Sequence, residues 1–149
     1  MYIIPILDED IEIIKKYQTH KALLKINNEF LIKICLDCFT FNENEEILFI
    51  CSMQDCANYK IDEIIAFIYP NLKIKIVKLT KTKDVVDTLH KIRDNVKDNE
   101  KITIIAPCYT YFKPNINMEL YNNTDIFLTI FKSNNKNHCY VKYDEQNNI

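Results

Sequence analysis

Three acidic side chains follow directly on the first apolar run of this 149-residue chain, where Tyr2-Ile3-Ile4-Pro5-Ile6-Leu7 leads into Asp8, Glu9 and Asp10. A short continuous apolar run at the start of helical spacing predicts a buried strand of a parallel sheet feeding a crossover helix. Ligands of such sheets sit beyond the carboxyl ends of the strands. Asp8 to Asp10 therefore fall at the expected mouth. A second chemistry-bearing stretch, Cys108-Tyr109-Thr110-Tyr111-Phe112, follows a later apolar run, Lys101–Ala106, at the same end. Its rings are of the kind that stack on a nucleobase, although an aromatic cluster beside a strand end more often packs or meets a subunit.

Cys108 would act as a nucleophile only with a base within hydrogen-bond reach and a lowered thiol pKa, the candidate bases being His20, His90 and His138. His90 falls mid-helix and reads as surface or core filler. Cys35-Leu36-Asp37-Cys38 has zinc-like spacing, but it sits in an apolar helical face with no second pair. With no leader peptide read in the sequence, the six cysteines (Cys35, Cys38, Cys51, Cys56, Cys108 and Cys139) are expected to be reduced thiols, and buried unbonded Cys is a common core residue. Lys15 and Lys16 read first as solvated lysines on a helix.

Composition narrows the chemistry. A formal net charge of -2 with no Lys/Arg block gives no basic field for nucleic acid. No apolar run approaches the roughly eighteen residues that span a bilayer, and no signal-like core opens the chain, so a cytoplasmic protein with no membrane partner is expected. The length and 48% hydrophobic content suit a single domain, 1–149, with one core. Glycine is absent altogether, against roughly 7% in ordinary chains. Turns needing positive φ must then fall to Asn, as at Asn27-Asn28, Asn122-Asn123 and Asn134-Asn135.

The elements that must position these residues alternate along the chain. Strands are predicted over Tyr2–Leu7, Glu46–Cys51, Leu72–Leu79 and Lys101–Ala106, then Asp125–Phe131 and His138–Tyr143. Lysines alternating with Leu72, Ile74 and Ile76 mark the third as an edge. Helices are predicted from an Asp10 cap through Ile11, Ile14 and Tyr17, over Asn28–Phe39 with Asn27 or Asn28 as cap, over Asp62–Ile68 ending before Pro70, and over Asp84–Val96; a weak helical turn is read near Ile116–Tyr121. This order predicts an α/β domain with a mostly parallel sheet and an antiparallel or mixed carboxyl-terminal part, with Tyr2–Leu7 inside the sheet beside Glu46–Cys51 and Lys101–Ala106.

Several stretches share their order and spacing with one family: Ile3-Ile4-Pro5-Ile6, Lys21-Ala22-Leu23-Leu24-Lys25-Ile26-Asn27, Tyr69-Pro70-Asn71, Thr82-Lys83-Asp84-Val85-Val86-Asp87-Thr88, Ile104 to Phe112, Thr129 to Ser133, and Tyr140 to Asp144. On these the chain resembles the sugar-phosphate nucleotidyltransferases, GT-A-like Rossmann enzymes that join a nucleoside triphosphate to a phosphorylated sugar or similar small molecule. The resemblance covers nearly the whole chain and implies a Rossmann-like three-layer sandwich. It implies that the chain corresponds to the amino-terminal part of the family domain, and that Lys21 is the phosphate-contacting lysine and the one catalytic candidate. Asp8, Thr82, Asp84, Tyr109 and Thr110 then fall at nucleotide-binding positions, although Thr82 and Asp84 read equally as helix caps, and the cap reading is preferred.

The departures from the family lie at those positions. Leu7-Asp8-Glu9-Asp10-Ile11-Glu12 replaces the Gly-rich loop and Arg that hold a triphosphate. Asp84 replaces a glycine beside the base, and Tyr109 replaces the Asp that holds Mg²⁺. The expected function is thus a nucleotide or phosphosugar binder impaired in transfer, a pseudoenzyme; no metal residue is assigned, and Mg²⁺ is expected only if the chain is active. The alternatives are an active nucleotidyltransferase with an atypical site and a structural or interaction protein. A homodimer is expected through the carboxyl-terminal runs, where Ile126, Phe127, Leu128, Ile130 and Phe131 stand together.

Overall fold

A computed structural model of the chain describes residues 1–7, 11–41, 44–96 and 102–104. The chain divides into two compact units, Met1–Asn117 and Met118–Ile149, and every described residue belongs to the first. Its strands are β1 (Tyr2–Ile6), β2 (Lys25–Ile26), β3 (Glu29–Phe30), β4 (Glu46–Ser52), β5 (Lys73–Leu79) and β6 (Thr103–Ile104). Its helices are α1 (Ile11–Tyr17), α2 (Leu31–Leu36), α3 (Met53–Tyr59), α4 (Ile61–Ile68) and α5 (Val85–Lys91), with 3-10 turns at Lys21–Leu23 and Arg93–Asn95. The protein is α/β, as the alternation predicts.

The main sheet has the order β5-β4-β1-β6, and all three pairings are parallel. β1 is buried along its whole length and β4 along all but its first residue, so both read as unbroken apolar runs. As expected, β1 lies inside the sheet between β4 and β6, and β5 lies at an edge. In β5, Lys73, Lys75 and Lys78 are exposed while the residues between them are half-buried, a charged pattern that discourages further strand pairing.

Alternation along the central strands sends side chains to two cores. On one face Tyr2, Ile4 and Ile6 join Ile47, Phe49 and Cys51 beneath Ile32 and Leu36 of α2 and Ile61 and Ile65 of α4. On the other, Met1, Ile3, Leu48 and Ile50 pack with Ile92, and Leu89 of α5 borders them. Crossovers of one hand place their helices on opposite faces when the chain reverses direction across a sheet. The chain steps from β1 to β4 to β5, then returns past both to β6, and α5 in that return lies on the face opposite α2 and α4.

Three helix expectations need correction. The region read as one helix over residues 28–39 is a β2–β3 hairpin followed by the shorter α2. Asn27 and Asn28 do not cap a helix: both take positive φ, 51° and 69°, which makes the two-residue turn that a hairpin's twist favours. The α2 helix begins at Leu31, and Phe30 before it supplies no side-chain cap. The helix read over 84–96 stops at Lys91, where Ile92 leaves helical geometry before the Arg93–Asn95 turn. A further helix, α3, precedes α4, which itself begins one residue early at Ile61.

Without glycine, left-handed geometry is forced onto other residues. Gln18 (φ 52°) ends α1 and Lys60 (φ 54°) joins α3 to α4, in addition to the two asparagines. The aromatic stretch 109–112, the helical turn 116–121, the strands 125–131 and 138–143, and the antiparallel or mixed carboxyl-terminal part lie outside the described residues. Among those described, no helix is long and apolar enough to cross a membrane.

Two neighbours on α4 test the packing. Ile65 is fully buried and Phe67 is 82% exposed. Ile65→Ala should cost about 2–5 kcal/mol through lost burial and a cavity, while Phe67→Ala should change stability by no more than about 0.5 kcal/mol. Urea unfolding of both variants checks this, and similar losses from the two would contradict the packing described.

Candidate functional site

Parallel pairing sends β1, β4, β5 and β6 out of the sheet at one edge. Lys21 is tied to that edge indirectly. It opens a 3-10 turn whose flanks, His20 on one side and Ala22 and Leu23 on the other, are buried. His20 caps the turn, its Nδ1 accepting from the Ala22 N–H at 3.1 Å. The ring proton is thereby assigned to Nε2, which faces Asp55 Oδ2 at 4.0 Å. That separation is an electrostatic contact rather than a hydrogen bond.

Asp55 in turn belongs to the first turn of α3, immediately beyond β4. Its N–H donates to Ser52 Oγ at 3.2 Å, so the last residue of the strand caps the helix. The Tyr59 ring lies beside the imidazole, with centroids 6.2 Å apart. Strand end, cap, carboxylate, imidazole and 3-10 turn therefore form one chain of contacts that holds the Lys21 backbone beside the carboxyl end of β4. Lys21 itself is half-buried.

The sequence reading missed Ser52 and Asp55. The Ser52-x-x-Asp55 spacing is a capping pattern and was the available signal. Ser52, His20 and Asp55 are the residue types of a hydrolase triad, but they do not make one. Both imidazole nitrogens already face Ala22 and Asp55, and Ser52 Oγ accepts from a backbone N–H. His20 is fully buried, and Cys108, for which it was a candidate base, lies outside the described residues.

Thr82 and Asp84 lie at the same edge but beyond β5, two inter-strand spacings or about 10 Å from β1. Thr82 is half-buried and Asp84 exposed. The Asp84 carboxylate caps α5, accepting from the Asp87 N–H at 2.8 Å, which agrees with its reading as a cap. Asp87 accepts from the Lys83 N–H at 2.9 Å and from Lys91 Nζ at 2.9 Å, and these bonds, the lysine's first, hold its carboxyl below the usual range. Lys91 also donates to the Lys81 carbonyl, fixing the loop that carries Thr82. Asp8, Tyr109 and Thr110 lie outside the described residues.

The described cysteines behave as core. Cys35 and Cys38 are buried, Cys38 Sγ donates to the Ile34 carbonyl at 3.5 Å, and burial pushes the Cys35 thiol up. Burial, with repulsion from Asp62, does the same to Cys56. Among the described residues no group of three or more His, Cys, Asp or Glu could hold a metal ion. His90 is a surface residue, 3.3 Å from Arg93 Nη1. Behind the Lys21 turn, a groove of about 500 Å³ opens between α1 and the hairpin, lined by residues that include Leu24, Lys25, Ile26, Ile13 and Tyr17.

No family model, curated protein or solved structure matches the chain.

Two predictions follow the electrostatics. Asp55→Ala removes the carboxylate facing the buried imidazole and should cost about 1–3 kcal/mol in urea unfolding; a loss below about 0.3 kcal/mol would show that the contact is not structural. Asp62, at the start of α4, is bridged by Lys78 near the end of β5, and that bond, together with the Glu63 N–H, holds its carboxyl below the usual range. A depressed carboxylate stabilises the fold above its unfolded pKa of about 4 and loses that contribution as pH falls through the lower folded value. Asp62→Asn should therefore lower the melting temperature at pH 7, and the gap from wild type should narrow below pH 4.

Proposed function

We propose that the chain is a nucleotidyltransferase-like domain of Rossmann-like, three-layer design that binds a nucleotide or phosphosugar at the carboxyl edge of its sheet without transferring nucleotide. The observation that carries this reading is the strand order. Numbered only within the main sheet, it runs third, second, first, fourth, so the reversal falls between β1 and β6. Open α/β sheets bind ligands at such a switch point, where the connections leaving neighbouring strands diverge. The acidic stretch from Asp8 follows β1 there, and the stretch leading to Tyr109 and Thr110 follows β6. Lys21 supplies a cation for phosphate from a backbone pinned by His20 and Asp55.

Transfer is a different matter, because charge on the reacting phosphates must be neutralised in the transition state. The acids Asp8, Glu9 and Asp10 stand where the resembled enzymes place phosphate-binding backbone, and Tyr109 stands where they place a metal carboxylate. A neutral phenol is a poor ligand for Mg²⁺. Asp84, committed to capping α5, offers the base a side chain in place of open backbone. A cytoplasmic setting belongs to the same reading, supported by Cys35, Cys38, Cys51 and Cys56 being in no disulfide.

A thermal-shift series with ATP, CTP, GTP and UTP, with and without Mg²⁺, tests the proposal. A ligand at one hundred times its Kd adds roughly 2.7 kcal/mol to the folded state, enough to raise the melting temperature by several degrees. Lys21→Ala should remove most of that shift. No shift with any triphosphate or phosphosugar would sink the binding claim. Pyrophosphate release in the presence of a phosphosugar, abolished by Lys21→Ala, would instead show an active transferase.

A further inference from the structure

Helix α1 is anomalous for a short element. Seven residues are too few for a helix that stands alone in water, yet α1 buries none of its residues. Tyr17 is 52% exposed, and Ile26, across the groove on the hairpin, is 50% exposed. Ile13, Leu24 and Leu31 are only half-buried between them. An apolar floor of this kind, open to water along about 500 Å³ of groove, is the surface that association covers.

The charges on the groove wall say what covers it. Glu12 and Lys16 both line the groove and both are exposed. They stand two residues before and two residues after Ile14. A second α1 running antiparallel, related by a two-fold axis at the level of Ile14, therefore sets each Glu12 level with Lys16 of the other copy, twice over. The sequence extends this polarity: Asp8, Glu9 and Asp10 precede the helix, while Lys15 and Lys16 close it. Lys16 Nζ lies 5.1 Å from the Tyr17 ring centroid, which keeps its charge beside the apolar surface. A two-fold contact must be complementary to itself, and this face is.

We propose that α1 and its groove form an antiparallel interface with a second copy of this chain, Tyr17 of each copy resting on Leu24 and Ile26 of the other. The interface is small and partly electrostatic, so it is a micromolar dimer that weakens as salt is added.

Sedimentation equilibrium of the full chain tests it by charge reversal. Glu12→Lys and Lys16→Glu each replace two attractions with two repulsions and should each raise the dimer Kd on the order of tenfold. Mixing the two variants restores opposite charges across the axis, so the mixture should form a heterodimer at least as tight as the wild-type dimer, and the rescue shows that both variants are folded. Tyr17→Asp should be monomeric. The inference fails if the wild type stays monomeric at several hundred micromolar, if either reversal leaves the dimer unchanged, or if the mixture shows no preference for the heterodimer. A dimer indifferent to both reversals but dissociated by Phe131→Asp would belong to the carboxyl-terminal runs and would equally overturn this interface.

Discussion

The parallel pairing of β1 with β4 is the constraint on which the rest of the described structure depends. Five consecutive residues of each strand are in register, from Tyr2 opposite Ile47 to Ile6 opposite Cys51, and all ten are buried. Strands buried on both faces need helices on both faces. That requirement fixes where α2, α4 and α5 must lie. It also requires every connection to cross from the carboxyl edge back to the amino edge, which gathers the post-strand segments on one side. The candidate site is a by-product of this arrangement, since the segments that leave the central strands emerge beside one another.

Lack of glycine shapes the connections. Left-handed backbone costs a residue with a Cβ roughly 1–2 kcal/mol, and four such positions occur among the described residues. Asn27 and Asn28 carry two of them in the hairpin turn, where Asn is the least costly substitute. Gln18 and Lys60 carry the others at helix ends, where a residue of positive φ closes the last turn. The Lys60 position permits α3 and α4 to follow one another with a single residue between them.

Around Lys21 the charges are arranged for placement more than for reactivity. His20 and Asp55 are among the few buried polar residues of the described fold, and they face each other. A buried carboxylate is costly unless a donor faces it, and the His20 tautomer set by Ala22 directs such a donor toward it. The pair thereby couples a turn that follows β1 to a helix that follows β4. Tyr69, just past the carboxyl end of α4, is also tied to a carboxylate: its hydroxyl donates to Asp37 at 3.3 Å, and burial with the neighbouring carboxylate pushes its pKa well above the usual phenol range.

Much of this fold was legible in the residues themselves. Apolar runs and their lengths predicted β1, β4 and β5, the alternating lysines marked β5 as an edge, and Asp84 read as the cap it is, because burial pattern and capping are local consequences of side-chain chemistry. The sequence also determined that no turn could use glycine. Tertiary structure alone decided what depends on contacts between distant residues. The run over residues 28–39 had helical spacing, but Asn27-Asn28 could fold back only because Lys25 and Ile26 found partners in Phe30 and Glu29, which shortened the helix. Asp55 carries no local signal beyond the Ser52-x-x-Asp55 spacing; its pairing with His20, 35 positions earlier, arises from the sheet edge that brings α3 beside the 3-10 turn. Likewise, α1 has an amphipathic sequence that promises burial, and only the tertiary arrangement of α1 and the hairpin left Ile13 and Tyr17 lining an open groove.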